Sequence, residues 1–385
     1  MRCHRSICVI SVAVALISVL AARAWSVESA PLWKVDLRQF GYERFPRRAV
    51  RPIKLFVDFS NNNHLAVAWI SPDTNKSTQR KAPTWGEPAH LHLVLLDAKT
   101  GQKQDQKEWP TPYMKPILVG ISDGKVLICT ESSLHLLSAT LDVVQEKELP
   151  SHADCAKTFF QASPSRRTLL ISSAQNRQVN VMDSATFRIL FSWTEEGKAP
   201  ISHTIASISD HWLAGYCGEP TELCVRRFDQ PWHPFRAIGV DTRMRVPATF
   251  ITDEVLVIKG KSTTVAAVNG TILFQISSPK ERYSYRPSVS SSGAERFAVL
   301  EGRLRGIRSE PLDMYPFYAD DRAIVYDVKD QHSDFSLKLQ GTSPWTPWHI
   351  IDNTLGLSPD GRSLAVISDG VLQLYAVTNG SPQPH

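Results

Sequence analysis

The sequence is poor in the signals that mark common enzymes. It has no glycine-rich phosphate loop, no dinucleotide fingerprint, no H-E-x-x-H pair and no C-x-x-C-H haem attachment site. It also lacks a strong charge bias. Its 43 basic and 38 acidic residues give a net charge of +5, and no basic stripe of the kind that tracks nucleic acid is present. Long helices are disfavoured by 25 prolines. Long hydrophobic runs are scarce too, and the one exception lies at the N-terminus.

That exception reads MRCHRSICVISVAVALISVLAARAWS. Arg2 and Arg5 form a basic start, an apolar stretch follows from about Ile7 to Leu20, and Ala22-Arg23-Ala24 has the small-x-small pattern of a signal-peptidase site. The apolar run is short for a membrane span, which needs about 20 residues. Residues 1–24 are therefore expected to be a signal peptide cleaved before Trp25, with no lipid-anchoring cysteine after it and no later membrane-spanning segment. Cleavage removes three arginines and no acids, leaving 40 basic and 38 acidic residues. The expected location is secreted or periplasmic.

Cleavage also reduces six cysteines to four: Cys129, Cys155, Cys217 and Cys224. In an oxidising compartment an even count permits disulfides. Cys217 and Cys224 flank a Gly-Glu-Pro-Thr turn and form the favoured pair; Cys129 with Cys155 is the second candidate. The competing reading of each is a small buried hydrophobe.

What the chain does have is a repeat. A turn carrying Ser, Asp, Asn or Gly precedes an apolar strand seven times, marked by Ser60, Ser122, Ser163, Ser209, Thr252, Ser290 and Ser358. The gaps between markers are 62, 41, 46, 43, 38 and 68 residues, and the inner four approach the ~40–45 residues of a propeller blade. Each unit continues into a second apolar run, and most into a third. The expected fold is all-β: a seven-bladed β-propeller of four-stranded antiparallel blades in one domain, residues 25–378, before a disordered tail at 379–385. The last unit, LSPDGRSLAVISDGVLQLYAV, lacks an outermost strand. LWKVDLRQF (residues 32–40) is a strand pattern with no partners of its own. Pairing the two closes the ring and covers an apolar edge that would otherwise invite aggregation.

The stretches SPDGRSLAV and LVLLDAKTGQ resemble the WD40-like and YVTN-type repeats of bacterial propellers. The resemblance spans nearly all of the mature chain. It is specific for fold and poor for function, and the Gly-His and Trp-Asp pairs of true WD40 repeats are absent. Propellers of this kind include lactonases, lyases and quinone- or metal-dependent oxidoreductases, which implies an alternative, an enzyme with its site at the channel mouth. The inner strands supply little for it, Asp58 and Asp352 being their main acids.

Calling the strands of a blade a to d from the centre outward, the b–c and d–a connections share one face of the disc. Two insertions, about 71–90 and 303–321, fall in b–c connections of blades one and six. GTSPWTPWH (residues 341–349) precedes blade seven on the same face. The three elements gather Trp85, Arg303, Arg305, Arg308, Tyr315, Phe317, Tyr318, Trp345 and Trp348. Trp, Tyr and Arg are enriched at binding hot spots, so this face is expected to engage a protein, peptide or glycan partner, with the chain a monomer. The bland alternative is that the aromatics pack within their own loops.

Other features carry less. Gly120–Gly124 matches G-x-S-x-G, but Ser122 lies in a hairpin turn rather than at a strand-to-helix elbow. His90 and His92 share one side of a strand without a third ligand nominated by spacing. His203 and His349 sit near innermost strands. Asp313, Asp320 and Asp321 lack the spacing of a calcium loop. No cofactor is called for by any motif.

Overall fold

The computed structural model describes residues 30–43, 55–72, 87–112, 117–121, 124–149, 154–155, 158–173, 178–194, 205–216, 223–231, 233–234, 248–259, 262–277, 282–289, 295–310, 313–339 and 354–377. Seven four-stranded antiparallel sheets form the blades of a propeller, with no α-helix among the described residues. Blade one is built from Phe56–Phe59, His64–Pro72, Pro88–Asp97 and Lys103–Pro112; blade two from Leu118–Gly120, Val126–Thr130, Ser133–Leu137 and Val143–Glu148. Blade three uses Thr158–Ala162, Thr168–Ser173, Gln178–Asp183 and Ile189–Thr194. In blade four Ile205–Ile208, Trp212–Tyr216 and Leu223–Arg227 end in the two-residue strand His233–Pro234. Blade five comprises Ala248–Phe250, Val255–Lys259, Ser262–Ala267 and Ile272–Ser277, and blade six Arg282–Val289, Arg296–Glu310, Asp313–Asp327 and His332–Lys338.

Blade seven takes three strands from the C-terminus, Thr354–Leu357, Ser363–Ser368 and Val371–Ala376, and its fourth from the start of the described chain. Trp33–Asp36 runs antiparallel to the third strand, with Trp33 opposite Leu374 and Asp36 opposite Val371. The strand expected over 32–40 is therefore shorter. Leu37–Phe40 forms a single 3-10 turn, because Asp36 caps it by accepting the Arg38 N–H at 3.0 Å and Gly41 ends it at φ 90°. Trp33 then reaches across to blade one, where its indole N–H donates to the Ala98 carbonyl at 3.0 Å.

The core lies between blades. Middle strands read as continuous apolar runs because both of their faces are covered, whereas outer strands such as Val143–Glu148 alternate toward solvent. Separate clusters of buried side chains fill the seams: blades seven and one around Phe59, Leu65, Val67, Ile367 and Leu372; blades one to three around Leu93, Ile128 and Leu169; three and four around Val181 and Leu213. The next seams are filled by Val225 with Phe250, Val257 with Phe297 and Val325 with Leu364. The seam between the last blade and the first is packed like its neighbours, and that is what a ring requires.

On the face of the a–b turns, side chains of the turns tie blade to blade. Ser209 Oγ donates to Asp253 at 2.8 Å, Ser165 Oγ to Asp210 at 2.6 Å, and the Asp360 N–H to Asn62 Oδ1 at 3.1 Å. Arg296 pairs with Asp327 and Asp334 at 3.1 and 2.8 Å and reaches the Gly361 carbonyl of blade seven at 3.3 Å. Arg166 reaches furthest. From the a–b turn of blade three it crosses to blade one, where it donates to the Phe59 carbonyl and pairs with Asp58 at 2.8 Å. The other Asp58 oxygen accepts the Gly120 N–H at 2.8 Å.

Candidate functional site

The opposite face is built differently. The second and third strands of blade six are 15 residues each, against 5 each in blade two. The insertion at 303–321 is thus a paired hairpin extension rather than a loop folded on itself. Its register passes two irregularities, at Glu301/Arg303 and Leu304/Gly306, and runs out through Arg308 opposite Tyr315 to Glu310 opposite Asp313. Bulges of this kind bend a strand pair and re-aim what it carries. Arg303 is half-buried at the base, opposite Ala319 and, across the inner strand, Arg282. Leu304 stands opposite Tyr318. The side chains of Arg305, Arg308, Tyr315, Phe317, Tyr318, Asp313, Asp320 and Asp321 lie outside the described residues. So do Trp85, Trp345, Trp348, Ser122, His203, His349 and Asp352.

The second extended hairpin belongs to blade one. Its middle strands run to Pro72 and start again at Pro88, and the side of it facing blade seven carries a polar cluster. His90 and His92 share that side, as their spacing requires. Glu108, opposite His92 on the outer strand, contacts both: Oε1 is 2.8 Å from His90 Nδ1 and Oε2 is 3.4 Å from His92 Nδ1. The other nitrogen of His92, Nε2, lies 2.5 Å from Ser71 Oγ. The His92 ring stacks on Trp69 at 5.2 Å and 8°, and Tyr42 meets Trp69 edge-on at 6.1 Å. Tyr42 in turn rests on Gly370 in the Asp369-Gly370 turn of blade seven, where a Cβ would come within 2.7 Å of its ring.

Burial lowers the His92 pKa from its ordinary 6.5; Glu108 opposes that and His90 adds to it. The ring is therefore neutral at pH 7. Sequence reasoning found the two histidines but missed Glu108 and Ser71. Counting straight back from the turn, where Leu96 faces Lys103, sets Lys107 opposite His92; a bulge between Leu95 and Leu96 moves Glu108 there instead. Among the described residues, no group of three or more His, Cys, Asp or Glu side chains is arranged to hold a metal ion.

Blade two repeats the geometry in a closed form. Ser71 lies two residues beyond Trp69, the partner of His92; Thr130 lies two beyond Ile128, the partner of His135. Thr130 Oγ1 is 2.8 Å from His135 Nε2, and Glu146, opposite His135, stands 4.0 Å from Nδ1. Thr130 is buried, whereas Ser71 is half-exposed.

The cysteines also lie toward this face. Cys129, at the outer end of its strand, is bridged to Cys155 with Cα atoms 6.0 Å apart, a normal disulfide span. The pair given second place by sequence is thus present. Cys224 is disulfide-bonded as well; Cys217, its expected partner, lies outside the described residues.

At the channel Asp58 is committed to Arg166 and to the Gly120 N–H. Gly120 itself owes its identity to this approach. A Cβ there would collide with the Phe59 carbonyl and the Arg166 guanidinium, which accounts for the first glycine of the G-x-S-x-G match without any catalytic role.

No family model matches the chain, and no curated protein does. Solved structures resemble it at the level of fold. Hsv2 from Kluyveromyces lactis shares 15% identity over 66% of this chain and 72% of its own, with a TM-score of 0.43. BamB from Moraxella catarrhalis shares 14% identity over 92% of this chain and 99% of its own, with a TM-score of 0.39.

Proposed function

We propose that this chain is an exported propeller that holds a protein, peptide or glycan partner on the face bearing the b–c hairpins of blades six and one. The signal-like N-terminus, cleaved before Trp25, and the buried Cys129–Cys155 bridge support export to a secreted or periplasmic location. Among the described residues, no helix is long and apolar enough to cross a membrane. One observation carries the choice of face: the 15-residue strand pair of blade six, Arg296–Glu310 with Asp313–Asp327, runs well beyond the length its blade needs. A rigid scaffold with long elements on one face is a usual way to build a recognition surface. Arg305, Tyr315 and Tyr318 on this hairpin, with Trp85, Trp345 and Trp348, supply the residue types that anchor partners. The channel-mouth enzyme gains no support from Asp58, because its carboxylate is already paired.

The test is site-directed photo-crosslinking in the native cell. Probes at Arg308 and Tyr315 should trap one discrete partner, and probes at Thr140 and Thr186 on the other face should not. Equal trapping from both faces, or none from the hairpin, would overturn the assignment.

A further inference from the structure

Ser71, His92 and Glu108 come from the second, third and fourth strands of blade one and meet on one side of the sheet. The order is hydroxyl, imidazole, carboxylate. With the Nδ1 proton directed at Glu108, Nε2 accepts the Ser71 O–H across 2.5 Å. Stacking on Trp69 fixes the ring plane. A nucleophile needs a base within hydrogen-bond reach and a third group orienting that base, and all three are present. The 3.4 Å Glu108 contact is loose, as such contacts often are before substrate binds.

Two features separate this cluster from its counterpart in blade two. Ser71 is half-exposed, whereas Thr130 is buried. The carboxylate stands closer, at 3.4 Å against 4.0 Å.

We propose that Ser71 is an activated nucleophile, with His92 as its general base and Glu108 as the positioning carboxylate, hydrolysing carboxylic esters at the mouth of the seam between blades seven and one. In acylation Oγ bonds to the ester carbonyl carbon while its proton passes to His92 Nε2. The C–O bond to the alcohol then breaks, and His92 returns the proton to the departing oxygen. Water, deprotonated by the same nitrogen, releases the acid and restores Ser71. Esters fit better than amides because their leaving group demands less acid assistance and a less complete oxyanion hole. The neutral state of the buried His92 ring at pH 7 suits a base.

This inference shares the blade-one hairpin with the binding assignment, and the readouts tell them apart: probe labelling reports Ser71, whereas crosslinking from Arg308 and Tyr315 reports the partner. The experiment uses the mature chain with a fluorophosphonate probe and p-nitrophenyl acetate. One probe per chain should attach, mapped by peptide mass to Ser71. Labelling should vanish in Ser71→Ala and persist in Thr130→Ala. His92→Gln should slow it by about 100-fold or more. Glu108→Gln should slow ester turnover by at least about 10-fold and move the acid limb of the pH–rate profile downward, because Glu108 raises the His92 pKa. A merely structural Glu108 would leave that limb in place. Wild-type chain with no label on Ser71, under conditions that saturate a reference serine esterase, would overturn the proposal whatever the variants do. So would ester turnover retained in folded Ser71→Ala.

Discussion

The two faces of the disc solve the same problem by different means. On the face of the a–b turns the connections are short, and polar side chains tie one blade to another: Ser165 to Asp210, Ser209 to Asp253, Asp360 to Asn62, and Arg166 to blade one. On the face of the b–c hairpins blades six and one carry long strand pairs, and a covalent bridge, Cys129–Cys155, takes part in the fastening beside the two-residue turn of blade two. Short turns can be cross-tied because repeat geometry puts like positions side by side. The two long hairpins have no like neighbour in register. The difference assigns labour: one face keeps the ring shut, and the other is free to vary.

The sharpest test of that division is the bridge. Closing 26 residues of chain should contribute about 3.5 kcal/mol through the unfolded state. Cys129→Ala with Cys155→Ala should therefore lower the unfolding free energy measured in urea by that amount, with a steeper slope because the unbridged denatured chain is more open, and reducing agent should cost wild type at least as much, because Cys224 is bridged as well. An unchanged midpoint would mean that the b–c face needs no covalent fastening. Next in size is the polar fastening of the other face. Arg166→Ala removes a buried guanidinium from the Asp58 carboxylate and the Phe59 carbonyl, at about 3 kcal/mol, the low end for a broken buried pair because Asp58 keeps some solvent. The substitution leaves the strained φ of 63° at residue 166 in place, so that strain cannot mask the loss. Gly120→Ala should match it in size, since the new methyl group meets backbone that cannot move aside. Neither variant should alter partner trapping from the blade-six hairpin. If Arg166→Ala abolishes trapping while the chain stays folded, the faces are coupled.

Much of the ring was legible in the residues. The all-β class and the blade count follow from the turn markers, because a propeller repeats its hydrophobic pattern at a fixed period. Asp369-Gly370 reads as a tight hairpin turn and is one, with φ of 52° and 78°. Less legible was anything that depends on pairing between distant segments. Spacing favours Cys217 with Cys224 over Cys129 with Cys155, since nothing local brings residue 155 back to the end of a strand in blade two. Asp58 read as a free channel acid because its partner lies 108 residues away. Ser71 and Glu108 looked ordinary until strand register set them around His92. The 3-10 turn at Leu37–Phe40 was in view through its Asp36 and Gly41 caps, but the alternating pattern before it reads straight on as strand.

The smallest effect separates the two histidine clusters from the rest of the fastening. Burial lowers the pKa of His92 and of His135, with Glu108 and Glu146 only partly opposing it. Each folded-state value lies below the ordinary 6.5, so the unfolded chain binds more protons. Stability from these neutral rings is thus complete above about pH 6.5 and declines as pH falls toward the folded values. The Asp253–His211 contact behaves differently. Burial pushes the carboxyl up, but hydrogen bonds from His211 and Ser209 outweigh it and hold the net pKa below the ordinary carboxylate value, so its contribution persists until well below pH 5. Denaturation midpoints at pH 7.5 and 5.5 should therefore fall in wild type and fall less in the double variant His92→Gln, His135→Gln. A double variant with the full wild-type drop would mean that neither ring is buried as the two seams require, and would remove the structural counterpart against which the half-exposed Ser71 cluster stands out.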